Sequence, residues 1–132
     1  MKQNALFWFD SAENHFSCAE RNFEAGDYLQ TSIACHHAME NLIKAIYYER
    51  NNREAPYKHN LVSLVQDTLG EAWQSLLNPE QVSFYSKLSA VYPAMKYPDY
   101  RNLSNERVSK KLAEYYILNM RGEFEWWKEF LK

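Results

Sequence analysis

Five polar side chains whose chemistry could serve a function stand close together in the first half of the sequence. His36, His37, Glu40 and Lys44 belong to the run CHHAMENLIKA, and His59 follows in KHNLVSL. The first run otherwise has the apolar spacing of a buried helix, where residues three or four positions apart share a face. A carboxylate, an ammonium and imidazoles in such a place can bind a ligand, move a proton or pair with one another. Because burying such groups is costly, the cluster needs a structural or functional reason.

Each of these residues has two interpretations. Glu40 and Lys44 either line a polar site or form an ordinary ion pair one helical turn apart, worth a few tenths of a kcal/mol. His59 either ties the preceding loop to the second helix or contacts a phosphate or a proton. His36 and His37 are adjacent, so their side chains diverge by about 100° and cannot share a metal ion in the usual way. We therefore expect no metal and no cofactor.

The composition indicates one all-α domain over residues 1–132. Apolar residues make up 46% of the chain and aromatic residues 16%, with only 3 Gly and 4 Pro, which excludes disorder and disfavours a many-turned β-sandwich. A chain of 132 residues can bury a core without disulfides or metal ions. The net charge of −2 excludes a global basic field, so binding to nucleic acid would need a local patch.

The same reading indicates a cytoplasmic protein that does not enter a membrane. The N-terminal segment meets polar residues after a few apolar ones and lacks the apolar core of a signal peptide. No run of 18 apolar residues appears, which excludes a spanning helix. Cys18 and Cys35 are isolated thiols without metal spacing, which fits a reducing compartment.

The apolar spacing and the capping residues predict an up-and-down bundle of about five helices. A stripe from Phe9 to Phe23 predicts a first helix of about 20 residues that ends at Gly26. Asp27 is predicted to cap a second, central helix, and the polar segment 49–58 to form a loop after it.

Three further helices are predicted from caps and periodicity. Asn60 can cap a third helix that stops near Gly70, and Asn78 with Pro79 and Gln81 can begin a fourth. Pro93 and Pro98 then interrupt the pattern. Ser104 can cap a long last helix, for which we predict one face from this row: Val108, Leu112, Tyr115, Asn119, Gly122 and Trp126.

The order and spacing of these motifs resemble the HEPN domain family, the higher eukaryotes and prokaryotes nucleotide-binding domain. The residues that carry the resemblance are Gly26, Asp27 and Tyr28, then His37, Ala38, Glu40, Lys44 and Ala45, then His59, Leu61 and Leu64. The later YPDY, Tyr97 to Tyr100, is similar to the family's RYPD element, with Lys96 where Arg is usual. The resemblance spans most of the chain.

This resemblance implies a bundle that often forms homodimers, binds nucleotides or RNA, and pairs with a small nucleotidyltransferase in toxin–antitoxin systems. Many relatives are metal-independent ribonucleases that use an Arg and a His four to six residues apart near a late helix. Here Arg101 and Asn102 resemble the start of that motif, but no His follows residue 59. Arg53 and His59 have a matching spacing but lie in the loop. The ribonuclease motif is therefore incomplete, and we expect a binding module without catalytic residues.

On this basis we expect a ligand site formed by residues from the second helix, from the start of the third helix and from the proline-interrupted segment. The expected ligand-binding residues are Glu40, Lys44, His59, Lys96, Tyr97, Asp99 and Arg101. Lys96, Arg101, Arg107, Lys110 and Lys111 form a basic cluster that could bind phosphate or could be a solvated face.

Two other functions remain open at this point. One is a metal-independent endoribonuclease toxin that uses Arg101 with a displaced base such as His59 or His37. The other is a structural homodimer or scaffold without a ligand, whose polar residues only tie helices together.

Overall fold

A computed structural model describes residues 1–92 and 108–132, and nearly all of these residues lie in helices. In chain order they form α1 (Gln3–Glu24), α2 (Tyr28–Asn51), α3 (Leu61–Leu69), α4 (Trp73–Leu76), α5 (Pro79–Ser89) and α6 (Lys110–Lys128). Single 3₁₀ turns precede α4 at Gly70–Ala72 and follow α6 at Glu129–Leu131. No strand occurs within the two described ranges, and the predicted all-α bundle is confirmed.

Helix α1 packs along α2 through a row of small side chains. Ala5, Ala12 and Ala19 recur every seventh residue and are fully buried, which lets the two helix backbones approach closely. The phenylalanines of the predicted stripe pack beside them and are partly buried. Gly26 follows the helix with a φ of 80°, a left-handed conformation that glycine adopts without strain, as the predicted helix end requires.

Helix α2 is the central helix, as predicted, and contacts α1, α3, α5 and α6. Its side chains are buried on nearly all sides because neighbours surround it. The predicted side-chain cap was wrong in detail: Asp27 precedes the helix, but its side chain makes no capping hydrogen bond. Its carbonyl oxygen instead accepts from the Thr31 N–H and hydroxyl. The helix also runs to Asn51, slightly beyond the predicted loop boundary.

The caps predicted for the next two long helices are confirmed. The Ser63 N–H donates to Asn60 Oδ1 at 2.9 Å at the start of α3, and Gly70 ends that helix with a φ of 67°. At the start of α5, the Gln81 N–H donates to Asn78 Oδ1 and the Asn78 N–H donates back to Gln81 Oε1, a complete capping box. The single turn of α4 between them was not predicted.

Helix α6 differs from the prediction in its start and in its buried face. It begins at Lys110, where the Leu112 N–H donates to Ser109 Oγ; the predicted cap, Ser104, lies outside the described residues. Of the predicted row, Val108 is buried but precedes the helix, and the members within the helix are partly buried or exposed. The buried row lies one position further along: Ala113, Tyr116, Ile117, Met120, Glu123, Phe124 and Trp127. Both rows carry large aromatic side chains, so periodicity alone could not separate them.

The apolar faces of these helices meet in one main core. Its largest fully buried side chains include Trp127, Tyr85, Phe84 and Met39, which come from α2, α5 and α6. Among the described helices, none combines the length and apolar character needed to cross a bilayer. Three charged residues are buried in the described part of the bundle, Glu40 and Lys44 on α2 and Glu123 on α6.

Candidate functional site

The candidate site forms where the second half of α2 meets the loop that precedes α3. Glu40 and Lys44 are one turn apart on α2, and both are buried, with exposed fractions of 6% and 8%. The loop returns along α2 and brings His59 to them, immediately before the Asn60 cap of α3. The cap and the α2 pairing together determine where the His59 ring lies.

The Glu40 carboxylate is held by two donors on different oxygens. Lys44 Nζ donates to Oε2 at 3.0 Å, and His59 Nδ1 lies 3.0 Å from Oε1. Burial acts to raise the pKa of Glu40, but the hydrogen bonds from Lys44 and His59 outweigh it and the net pKa is lowered. Glu40 is therefore ionised at neutral pH, and His59 Nδ1 must carry the proton that it donates.

Lys44 is enclosed on its other side by an aromatic ring from α1. Its Nζ lies 5.1 Å from the centroid of the Trp8 ring, within cation–π range. Trp8 is positioned in turn by its indole N–H, which donates to Glu54 Oε2 at 2.9 Å. The Lys44 charge is thus already matched by Glu40 and Trp8, so Lys44 mainly orients the carboxylate.

His36 holds the backbone of the loop before α3, and its ring is neutral. Its Nε2 lies 3.1 Å from the His59 carbonyl oxygen, an acceptor, so this nitrogen carries the proton. Burial lowers the pKa of His36 to about 4, against the opposing effect of the nearby Glu40. The other nitrogen, Nδ1, is buried, 3.9 Å from Glu40 Oε1, and has no hydrogen-bond partner. A neutral ring at that distance forms no ion pair with Glu40. Its role is to fix the loop through the hydrogen bond to the His59 carbonyl oxygen.

The His59 ring is fixed on its face as well as at Nδ1. It stacks on Tyr92 with ring centroids 4.1 Å apart and an interplanar angle of 12°, and Tyr57 meets it edge-on at 4.9 Å. His59 Nε2 is buried and has no hydrogen-bond partner in the described part of the chain. A buried polar nitrogen in this state is uncommon and calls for a partner that the described residues do not supply.

All four histidines of the chain gather around Glu40. His15 of α1 stacks on His37 with centroids 4.9 Å apart, and His37 meets His36 edge-on. Burial lowers the pKa of both His15 and His37, while Glu40 acts in the opposite direction on each. Within residues 1–92 and 108–132, no group of three His, Cys, Asp or Glu side chains is placed to hold a metal ion.

A family model of the HEPN domain matches residues 5–130. This chain belongs to the HEPN domain family. The match covers nearly the whole sequence and agrees with the helical bundle described above. No curated protein and no solved structure shows significant similarity to the chain.

The structure of this HEPN domain brings together three of the seven predicted ligand-binding residues: Glu40, Lys44 and His59. The other four, Lys96, Tyr97, Asp99 and Arg101, fall in 93–107 and lie outside the described residues, as does Arg107 of the predicted basic cluster. Lys110 and Lys111 of that cluster are exposed in the first turn of α6. Arg53, whose spacing to His59 resembles a nuclease motif, has its guanidinium 5.8 Å from the Tyr47 ring.

Sequence reasoning missed two aromatic neighbours of the site in this HEPN domain. Trp8 was not linked to Lys44, and Tyr92 was not linked to His59. Both contacts join residues more than 30 positions apart, so no local sequence pattern predicts them. The one available signal was the position of Tyr92 directly before the proline-interrupted segment.

Proposed function

We propose that this HEPN domain is a non-catalytic module that binds a nucleotide or an RNA segment at the site centred on His59. Family membership supports a function related to nucleotides or RNA. The observation that carries the proposal for this site is the His59 ring, which is held at Nδ1 and on one face while its buried Nε2 has no partner among the described residues.

The protonation state of His59 Nε2 determines which group of a ligand it can bind. A neutral His59 has its proton on Nδ1, so Nε2 accepts a hydrogen bond from a base N–H or a ribose hydroxyl. A charged His59 donates from Nε2 instead and would meet a phosphate oxygen. Both groups occur in every nucleotide, and the fixed ring would contact either without losing rotamer freedom.

The aromatic surroundings suit the same class of ligand. Tyr57 meets the His59 ring while 86% of its own surface is exposed, an unusual position for a large aromatic side chain. Exposed aromatic rings beside polar groups are the platforms on which unpaired bases stack, worth about 1–3 kcal/mol per base. In this proposal Glu40 and Lys44 position His59, and Lys96, Tyr97, Asp99 and Arg101 supply further ligand contacts.

Calorimetric titration tests the proposal directly. Wild-type protein is titrated with ATP, with other nucleotides and with short single-stranded RNAs, and the same titrations are repeated with His59→Ala. We expect binding by the wild type and a loss of affinity of about tenfold or more in the variant, the value of one hydrogen bond to a polar ligand. His15→Ala is the matched control, because it removes a histidine of the same cluster that does not contact Glu40 or His59, and it should bind normally.

Two outcomes would contradict the proposal. One is the absence of binding to any nucleotide or RNA, both for the protein alone and in the presence of a nucleotidyltransferase. The other is unchanged affinity in a folded His59→Ala protein. Circular dichroism of each variant establishes that the helices are intact.

The proposal includes partners, and the family resemblance supports them. We propose that the domain forms a homodimer and acts with a small nucleotidyltransferase in a toxin–antitoxin system. Light scattering in solution measures the mass of the isolated chain and is expected to give twice 15.7 kDa. Co-expression with the product of an adjacent nucleotidyltransferase gene should yield a complex that survives gel filtration. A monomeric chain that does not bind the nucleotidyltransferase would contradict the proposed homodimer and the proposed partner.

One observation favours a second function, a metal-independent endoribonuclease. A carboxylate that accepts from one imidazole nitrogen and leaves the other unoccupied is the arrangement that orients a general base. In this alternative His59 takes the proton of a ribose 2′-hydroxyl and Arg101 stabilises the phosphate. Cleavage of RNA by the wild type that is lost in both His59→Ala and Arg101→Ala would support it. Cleavage retained by His59→Ala would eliminate His59 as the base.

A further inference from the structure

A second buried carboxylate, Glu123 of α6, lies where this helix packs against α5. Its exposed fraction is 8%, and in the described residues only neutral groups hydrogen-bond to it. Tyr85 donates its hydroxyl to Oε1 at 2.5 Å, and Gln81 Nε2 lies 3.2 Å from Oε1 and 3.1 Å from Oε2. The charge of this carboxylate is therefore solvated by dipoles but is not balanced by a described cation.

The supporting network holds the carboxylate in one orientation. The Trp127 indole N–H donates to the Tyr85 hydroxyl oxygen at 2.7 Å, so that hydroxyl must direct its own proton to Glu123. Gln81 is fixed independently, because its side-chain oxygen accepts from the Asn78 N–H in the capping box of α5. Side chains of two helices, α5 and α6, thus fix a group that an apolar side chain could replace if packing were its only role.

Glu123 also lies on the wall of an open cleft of about 510 Å³. The cleft runs between α4, α5 and α6, and Gln81, Asn119, Glu80 and the Trp126 ring line it with Glu123. Of the two carboxylate oxygens, Oε1 accepts two hydrogen bonds and Oε2 accepts one in the described residues, which leaves Oε2 acceptor capacity for a further donor. Two carboxylates and a tryptophan that line the same cleft suit a cation that carries N–H donors.

We propose that this cleft binds an alkylammonium or guanidinium group, with Glu123 as its anionic contact and Trp126 as its aromatic wall. The group belongs either to a small organic cation or to a Lys or Arg side chain of a partner protein. Burial raises the pKa of Glu123, which agrees with a carboxylate that lacks a counter-charge. The site is separate from the His59 site and does not depend on the proposed nucleotide binding.

The test uses the full chain with butylguanidinium as the guanidinium probe, butylammonium as the ammonium probe and N-butylurea as the neutral control. Binding at pH 7.5 is followed by the NMR signal of the Trp126 indole N–H and by thermal unfolding. We expect both cations, but not the urea, to shift the Trp126 signal in a saturable manner. Glu123→Gln should weaken that binding about tenfold or more, because a hydrogen bond to a charged group is lost. Glu80→Gln, the same change on the same wall, should retain most of it.

A capped peptide that contains one Arg between alanines distinguishes the two sources of the cation. Tighter binding of the peptide than of butylguanidinium supports a protein partner, and the reverse supports a small cation. Three results would overturn the proposal: no saturable shift with either cation, equal binding by Glu123→Gln, or a fall of about 5 °C or more in the Tm of Glu123→Gln at pH 7.5 without probe. The last result would mean that a cation of the chain itself already pairs with Glu123.

Discussion

Two buried glutamates in this bundle have nearly the same exposure and opposite electrostatic environments. Glu40 is 6% exposed and Glu123 is 8% exposed. Glu40 accepts from an ammonium and an imidazole, and its pKa is lowered, whereas Glu123 accepts from a phenol and an amide, and its pKa is raised. Burial acts in the same direction on both, so the difference comes from the charge of the donors.

The comparison separates two ways of keeping a carboxylate inside a protein. At Glu40 the charge is balanced within the chain, and two buried nitrogens of the neighbouring imidazoles, His59 Nε2 and His36 Nδ1, have no hydrogen-bond partner among the described residues. At Glu123 the donors are satisfied but the charge is not balanced by any described residue. The first arrangement leaves a polar ring ready for a polar ligand, and the second leaves a negative charge ready for a cation.

The largest expected effect that tests this comparison is on stability. Glu40→Ala leaves Lys44 buried without its carboxylate and should reduce the free energy of unfolding by about 3–5 kcal/mol, the usual result of removing one member of a buried pair. Glu123→Gln removes a charge that has no described counter-charge and should leave stability at pH 7 unchanged or slightly higher. Urea denaturation of both variants measures the contrast. Equal losses in the two variants would remove the distinction between the sites.

Tyr85→Phe is expected to have a smaller effect that is specific to the second site. The change removes one donor to Glu123 and leaves the buried Trp127 N–H without its acceptor, which should cost about 1–3 kcal/mol. Because the Tyr85 hydrogen bond lowers the pKa of Glu123, its loss should raise that pKa further. Denaturation combined with carboxyl ¹³C NMR measures both quantities. An unchanged Glu123 pKa would show that the hydroxyl does not solvate the charged form.

The pH dependence of stability should have opposite signs at the two sites. Glu40 has a folded pKa below its ordinary value of 4.5, so it contributes stability above that pH that is lost as the pH falls through the folded pKa. Glu123 has a folded pKa above 4.5, so its contribution is complete below that pH and is lost as the pH rises through the folded pKa.

Each contribution is the free energy of unfolding of the wild type minus that of the matching Gln variant, measured by denaturation between pH 3 and 7. This range extends below and above 4.5 because one folded pKa is lowered and the other is raised. The expected changes are about 1.4 kcal/mol for each pKa unit by which the folded and unfolded states differ. Curves that slope in the same direction for both glutamates would contradict the assigned environments. Titrating groups that do not interact with either glutamate cancel in the subtraction. The pKa values of His15, His36 and His37 respond to Glu40, so their change is part of the Glu40 difference.

The smallest expected effect on stability comes from an exposed ion pair, which serves as a reference for the buried glutamates. Arg121 of α6 donates through Nε and a terminal nitrogen to both oxygens of Glu20 on α1, at 2.8 and 2.5 Å, but about half of the Arg121 side chain is exposed. Arg121→Ala should cost about 1 kcal/mol or less, since water screens such pairs. A loss as large as that of Glu40→Ala would mean that burial does not determine the energies compared here.

Local sequence determined most of the helices but only part of the sites. Asn60, Asn78 and Gln81 were predicted as caps because capping depends on residues three positions apart, and the structure confirms them. The α6 face was wrong because neighbouring rows of that helix are both rich in aromatic residues, and only the packing of the whole core, in which Trp127 bonds to Tyr85, separates them. Glu40, Lys44 and His59 were found through spacing and family resemblance.

The features that distinguish the two glutamates could not be predicted in this way. The contact of Trp8 with Lys44, the stack of Tyr92 on His59 and the bond from Tyr85 to Glu123 all join distant parts of the chain. Glu123 in particular looks like one more charged residue in a polar helix segment. Its burial follows from the rotation of α6, which depends on the whole core.

The central claim is that His59 Nε2 is the atom in this network that meets the ligand. The most direct measurement is ¹⁵N NMR of the imidazole nitrogens during titration with the nucleotide or short RNA that binds best. We expect the His59 Nε2 signal to move in a saturable manner, while the Nδ1 signal of His59 and both signals of His36 change little. Saturable ligand binding that leaves His59 Nε2 unmoved would contradict it.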